Sequence, residues 1–421
     1  MTPAARLQAA IEVLDRIASS RQPADQALKA WGAASRYAGS GDRRAVADRV
    51  YHCLRERGGE GSGRKAVLAS LALDDKLPRD EIAALFGGAG HGPAVLTADE
   101  QAWLEGLSEG GGALLPEFIA AELERAFGAE ASEEAHALLS NRALLNIRIN
   151  DLKTDVQAVA EGFWEAGIAF EATRLSALGL RVRESTDLHA LDAFKDGGFE
   201  VQDEGSQIAS WLVDAKPGET VVDYCAGGGG KTLALGQMLA GQGRLVACDL
   251  NPRRLDVIRP RLERAGITAE LHRIGPTGDA LDDLQGQADR VLVDAPCSGS
   301  GTWRRRPEEA WRLTPDELKR LHALQIDILG RASAFVRPGG RLVYVTCSVL
   351  PSENGDVAAA FAAKHKDFRP LPVAEAADTP RLTPEGRQRL AELSAGSHIV
   401  QLSPLRTGTD GFFIALFQRT S

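Results

Sequence analysis

From Thr220 onward the chain repeats one pattern, a short apolar strand followed by a helical stretch, and this restricts the fold more than any other feature. Strands are expected at Thr220–Tyr224, Arg244–Asp249, Arg290–Asp294 and Arg341–Thr346, with helices after the first two. Apolar strands joined by helical crossovers imply a parallel, doubly wound α/β sheet, because both faces must be covered. In such sheets ligands collect at the carboxyl ends of the strands. After Pro404, Gly411–Phe417 reads as a last aromatic strand, placed to pair antiparallel with Ser397–Leu402.

The rest of the chain follows other rules. Its 421 residues suggest two to three domains. Residues 1–140 read as helices separated by glycines: Ala4–Ser19, Ala24–Trp31, Asp42–Arg57, Gly63–Leu71, Arg79–Leu85, Ala98–Leu107 and Pro116–Phe127. Leu7, Ile11, Leu14 and Ile17 form the first apolar stripe. Residues 141–210 change period, since Leu145, Ile147 and Ile149 alternate with polar residues, and are expected to form a small mixed α/β module. Residues 211–421 hold the large sheet.

Charge and cysteine usage narrow the classes further. The net charge of −9 excludes a protein that is basic throughout, yet residues 1–60 carry ten Lys/Arg against seven Asp/Glu. Arg36, Arg43, Arg44 and Arg49 cluster there, either as a solvated helix face or as an RNA-contacting one. No apolar run approaches the length of a membrane span and no targeting segment is evident, so a soluble, cytoplasmic protein is expected. Five cysteines without CxxC spacing fit reduced thiols and neither a disulfide framework nor a structural zinc site.

The first strand runs into Cys225-Ala226-Gly227-Gly228-Gly229-Gly230-Lys231-Thr232 and then a helix. A phosphate-binding GxxxxGK[ST] loop needs glycine where Cys225 stands, and GxGxxG fails because Thr232 or Leu233 fills its last place. The second strand ends in Asp249, which is suited to accept hydrogen bonds from both ribose hydroxyls of a nucleoside cofactor. Its bland alternative is a solvated helix cap. Two later strands deliver Asp294-Ala295-Pro296-Cys297-Ser298-Gly299-Ser300-Gly301 and Thr346-Cys347-Ser348. A free cysteine is often only a small buried hydrophobe, and Cys53 and Cys248 are read that way. Cys297 and Cys347 differ in lying just past strand ends.

These stretches, with Val201–Gln207, Arg304–Pro307, Gly339–Ser348, Glu353-Asn354 and Thr409–Phe413, resemble the Sun/Fmu-type (NOL/NOP/Sun) RNA cytosine-5 methyltransferases, which include bacterial 16S rRNA enzymes. Residues 1–140 are similar to the NusB-like RNA-binding domain fused to some members. The resemblance implies a Rossmann-like class I methyltransferase sheet, mostly parallel with an antiparallel last strand, an all-helical NusB-like domain and a linking module. It implies S-adenosylmethionine as cofactor. Cys347 would be the nucleophile, Cys297 would assist product release, Asp294 would meet the pyrimidine edge and Lys231 would shape the pocket. Cofactor contacts would come from Cys225, Ala226, Gly227, Gly228, Gly229, Gly230, Lys231, Asp249, Arg254, Asp279 and Asp294, with Asp282 and Asp283 competing for the place of Asp279. One departure stands out: Gly227 and Gly228 replace the family's Ala-Pro, and a looser loop is the expected cost.

On the substrate side, Arg304, Arg305, Arg306 and Arg312 interleave with Trp303 and Trp311. Guanidinium groups can pair with phosphates while indoles stack on splayed bases. The alternative is a charged surface helix with Trp311 in the core. RNA is the expected partner, as 16S rRNA or an immature small subunit, with no metal and no membrane, and the chain is expected to act as a monomer. The rival function is a non-catalytic RNA-binding assembly factor on a methyltransferase scaffold.

Overall fold

Helical periodicity decides the amino-terminal part. In the computed structural model, which describes residues 1–58, 61–107, 115–140, 142–183, 187–275 and 281–420, helix Pro3–Ser20 starts where Thr2 accepts a hydrogen bond from the Ala5 N–H. Its stripe of Leu7, Ile11, Leu14 and Ile17 is buried as the spacing predicts. Helices Ala24–Ala34, Ser40–Glu56, Gly63–Ala69, Arg79–Leu85 and Ala98–Glu105 close one core around it with Trp31, Val46, Val50, Leu68 and Phe86. No helix among the described residues is long and apolar enough to cross a membrane.

The chain divides into two compact units: residues 1–121, 135–142 and 302–313 form one, and residues 122–134, 143–301 and 314–421 form the other. The helical unit thus includes residues 302–313, which follow the Cys297 loop in the sequence. Trp303 is fully buried, Trp311 Nε1 donates to the Leu54 carbonyl at 2.8 Å, and Arg312 Nη2 donates to the carbonyls of Ile17 and Gln22.

Within the second unit, strands β1 (Leu145–Ile149), β2 (Phe170–Ala172), β3 (Gly179–Val182) and β4 (Phe199–Val201) form an antiparallel sheet in the order β2-β3-β1-β4. The alternation at Ile147 and Ile149 turns both toward Val159 and Phe163 of helix Val156–Glu165.

The larger sheet comprises β5 (Thr220–Asp223), β6 (Arg244–Asp249), β7 (Glu270–Arg273), β8 (Ala288–Asp294), β9 (Val336–Thr346), β10 (Phe368–Pro370), β11 (Ile399–Leu402) and β12 (Phe412–Arg419). Its order is β10-β12-β9-β8-β5-β6-β7, with β11 paired to β12. Strands β5 to β9 run parallel, whereas β12 is antiparallel to both β9 and β11. Each inner strand serves two cores: Val221, Leu292, Val343 and Ile414 pack on one side, and Val222, Val291, Leu342 and Phe413 on the other. Burial on both faces explains why these strands read as continuous apolar runs. The order in which strands are added reverses between β5 and β8, since β6 and β7 lie on one side of β5 and β8 and β9 on the other, and the two cysteine-bearing loops leave the carboxyl ends of β8 and β9 beside that point.

Candidate active site

The glycine loop leaves β5 and opens helix Gly230–Leu239. Gly227 and Gly229 adopt φ of +56° and +83°, and a Cβ on Gly229 would meet Ile258 at 2.9 Å, so the turn depends on the absence of a side chain. The loop is held at three points. Gly227 N donates to Asp249 Oδ2 at 2.9 Å, Gly229 N donates to the Ala226 carbonyl at 2.9 Å, and the Gly228 carbonyl accepts from Arg261. Arg261 is itself paired with the buried Glu200. These contacts anchor the loop around Gly227 and Gly228.

Asp249, nearly buried at the end of β6, also accepts from Asn251 N at 2.7 Å, while Arg254 Nη1 stands 3.9 Å from its Oδ2. Burial first, then the nearby Asp223, Asp294 and Asp249, push the Cys225 thiol well up, so that cysteine remains a neutral wall of the loop. Asp279 lies outside the described residues. Of its competitors, Asp283 pairs with Arg244 at 2.8 Å and is exposed.

The two sulfur atoms that leave β8 and β9 come together, with Cys297 Sγ and Cys347 Sγ 3.3 Å apart. Backbone approach fixes their loops: Gly301 N donates to the Cys347 carbonyl and Gly411 N to the Gly301 carbonyl. A Cβ on Gly301 would fall 2.0 Å from the Gly411 carbonyl, which accounts for glycine in both motifs. The hydrogen bond to Cys347, burial, and repulsion from Cys347 and Glu353 push the Cys297 thiol well up. Cys297 therefore keeps its proton at neutral pH.

Beside the thiols, Lys231 Nζ donates to Asp294 Oδ2 at 2.7 Å and lies 5.1 Å from the centre of the Phe412 ring. Burial opposes the Lys231 charge, but Asp294 outweighs it, with help from Cys347 and Asp223, and raises the lysine pKa. Three further groups lie here in stretches to which the sequence reading gave no role. Phe412 is one, Glu353 with its serines is another, and the third is Asp223.

Asp223 is fully buried beneath the loop, where Oδ2 accepts from Thr232 Oγ1 at 2.7 Å and Oδ1 has no partner among the described residues. Burial raises its pKa to about 7, only partly offset by the Thr232 hydrogen bond. The folded value exceeds the unfolded one, so the contribution of this group to stability is complete below about pH 4 and is lost as pH rises to about 7. Asp223→Asn removes that dependence. Relative to wild type, the variant is expected to gain about 3 kcal/mol between pH 5 and pH 8 in urea unfolding, at roughly 1.4 kcal/mol per unit over two units.

The arginines expected to meet RNA divide. Arg312 is committed to main-chain carbonyls and to Glu309, Arg304 and Arg305 are half-buried, and Arg306 is exposed. The buried Trp303 has no face open for stacking. Near the amino terminus, Arg49 pairs with Asp75 and Ser70 and Arg43 Nε donates to the Ala38 carbonyl, while Arg36 and Arg44 are exposed.

Two family models match this chain. The model for the 16S rRNA methyltransferase RsmB/F covers residues 210–418, and that for the ferredoxin-like domain of RsmF/B-like methyltransferases covers residues 115–189. The chain belongs to the RsmB/F methyltransferase family. Among relatives of this family, the probable ribosomal RNA small subunit methyltransferase B of Bacillus subtilis is 31% identical over 72% of this chain and 66% of its own length. Ribosomal RNA small subunit methyltransferase B of Pseudomonas syringae is 37% identical over 59% of this chain and 54% of its own. The chain thus spans just under two thirds of the first relative's length and about half of the second's. A methyltransferase homolog from Pyrococcus horikoshii has a solved structure that covers 77% of this chain and all of its own, at 27% identity and a TM-score of 0.58. The first family model spans both cysteine loops, the glycine loop and Lys231.

Proposed function

We propose that this chain transfers a methyl group from S-adenosylmethionine to C5 of a cytosine in small-subunit ribosomal RNA, by way of a cysteine adduct at C6. The observation that carries this reading is the pair of thiols 3.3 Å apart, beside the Lys231–Asp294 pair. The names of the relatives supply the class of RNA.

A nucleoside cofactor fits the residues present. Glycine backbone with no side chains in the way lies next to the Asp249 carboxylate at the ends of adjacent parallel strands. Asp249 and the Ala226–Gly230 backbone would hold it. When bound, S-adenosylmethionine supplies an electrophilic methyl group on a positively charged sulfur. Cytosine C5 is a poor nucleophile towards such a group, and Cys347 answers that need. Its sulfur bonds to C6, the ring π electrons shift, and C5 becomes enamine-like. Asp294, oriented by Lys231, meets the N3/N4 edge and offsets charge that develops on the ring. Once methylated, C5 loses its proton to a base and the C6–S bond breaks, with Cys297 assisting the release.

The test uses the purified chain, S-adenosylmethionine labelled in the methyl group, and either naked 16S rRNA or immature small subunits. Label is expected in the RNA, at a cytosine that resists bisulfite conversion. Label on an exocyclic amine, or on protein alone, overturns the proposal.

A further inference from the structure

Glu353 is fully buried in the turn after β9, and no lysine, arginine or histidine pairs with it among the described residues. A buried carboxylate without a counter-ion is costly unless donors surround it. Four do so here. Its Oε1 accepts from Ser298 N at 2.8 Å and Gln325 Nε2 at 3.0 Å, and its Oε2 accepts from Ser348 Oγ at 2.6 Å and from Ser298 Oγ. Ser298 follows Cys297 and Ser348 follows Cys347, so one side chain grips both cysteine loops. Gln325 also donates to the Pro296 carbonyl, on the other side of Cys297.

We infer that Glu353 is a positioning residue: its carboxylate pins the Cys297 loop against the end of β9 and makes the two thiols unequal, leaving Cys297 as the proton carrier of the pair. The inference rests on the two-cysteine reading above and adds what tells the sulfurs apart. Once two equivalent thiols in contact have lost one proton to solvent or a base, the sulfurs share the other without preference. A fixed negative charge near Cys297 favours its neutral form and leaves the thiolate role to Cys347. The groups facing Cys297 are Cys347, Glu353 and Tyr344, whose hydroxyl donates to the Glu353 carbonyl at 2.6 Å; helix Pro315–Ser333 adds only the uncharged Gln325.

Glu353→Gln removes the charge while keeping the shape. The amide oxygen can take the place of Oε1 towards Ser298 N and Gln325, and the amide nitrogen can face the two serine hydroxyls, which rotate to accept. The experiment is site-resolved alkylation by iodoacetamide across pH, read for Cys297 and Cys347 by peptide mass spectrometry on the full chain without RNA. In wild type, the midpoint for Cys297 is expected above that for Cys347. In E353Q it moves down, so that alkylation of Cys297 at neutral pH rises roughly three- to tenfold, a shift of about half to one pH unit. A Cys297 midpoint at or below that of Cys347 in wild type overturns the inference, as does a folded E353Q whose Cys297 midpoint stays in place. If E353Q does not fold, the wild-type comparison decides. A role in packing alone would lower the unfolding temperature and leave the midpoint unmoved. Failure of the methyltransferase reading appears elsewhere, as wild-type protein that places no label in RNA.

Discussion

Cys347→Ser is expected to form no covalent complex with RNA and to lower methyl transfer by on the order of 10⁴-fold or more, the scale on which removal of a nucleophile acts. The reason is chemical and not structural. Cys347 is half-buried, its carbonyl accepts from Gly301 N, and serine would keep that backbone contact. An alcohol oxygen, however, is hardly ever ionised at neutral pH, and the neutral hydroxyl adds poorly to a pyrimidine ring. Urea unfolding of the variant should match wild type within about 0.5 kcal/mol. Methyl transfer by Cys347→Ser at more than a tenth of the wild-type rate would remove the nucleophile from its assigned place.

Cys297→Ala fails at the opposite end of the reaction. With Cys347 intact, C6 addition and methylation proceed, but the residue that assists release is gone. A nuclease-sensitive protein–RNA complex is expected to accumulate on denaturing gels, while turnover falls by about 10² to 10⁴, the range for loss of a positioned acid–base group. Loss of Cys297 also removes the hydrogen bond between the sulfurs, so single-turnover adduct formation should persist. If the adduct builds up in Cys347→Ser and not in Cys297→Ala, the two cysteines exchange roles and the C5 chemistry stands.

Much of this architecture was legible residue by residue. The helical stripe of Leu7, Ile11, Leu14 and Ile17, the four principal strands and the antiparallel close of Phe412–Arg419 on Ile399–Leu402 all follow from periodicity. Strand β7 escaped because its members Glu270, His272 and Arg273 are polar, as an edge strand with solvent beside it allows. Helix Ala131–Leu139 escaped because no glycine or proline marks its start after Gly128. In the candidate site, the cysteines and the glycine loop announce themselves through motif and strand position. Glu353 belongs to a stretch that carries the resemblance but has no role assigned by it, since it lies in a turn where no period applies and only the fold brings it beneath Ser298 and Ser348. Trp303, Trp311 and Arg312 read in sequence as one of two alternatives, a substrate-facing run or a packed helix. Their nearness to Cys297 along the chain suggests the first, whereas Trp311 and Arg312 donate to main-chain carbonyls within the helical unit and Trp303 is buried.

Those contacts limit how such a chain can be divided or recombined. The amino-terminal helices are not a cassette with a single junction, because their unit also needs residues 302–313, encoded within the catalytic half. A carboxyl-terminal part separated from those helices would still carry Trp311 and Arg312, now without the carbonyls of Leu54, Ile17 and Gln22 that accept from them. Exchange of amino-terminal helices between relatives would likewise have to carry this second stretch along. A dozen residues thus tie the helices to a distant stretch of chain, and because Trp311 and Arg312 hold main-chain carbonyls 257 to 295 positions away, the tie tolerates change in the helix side chains but not loss of either donor.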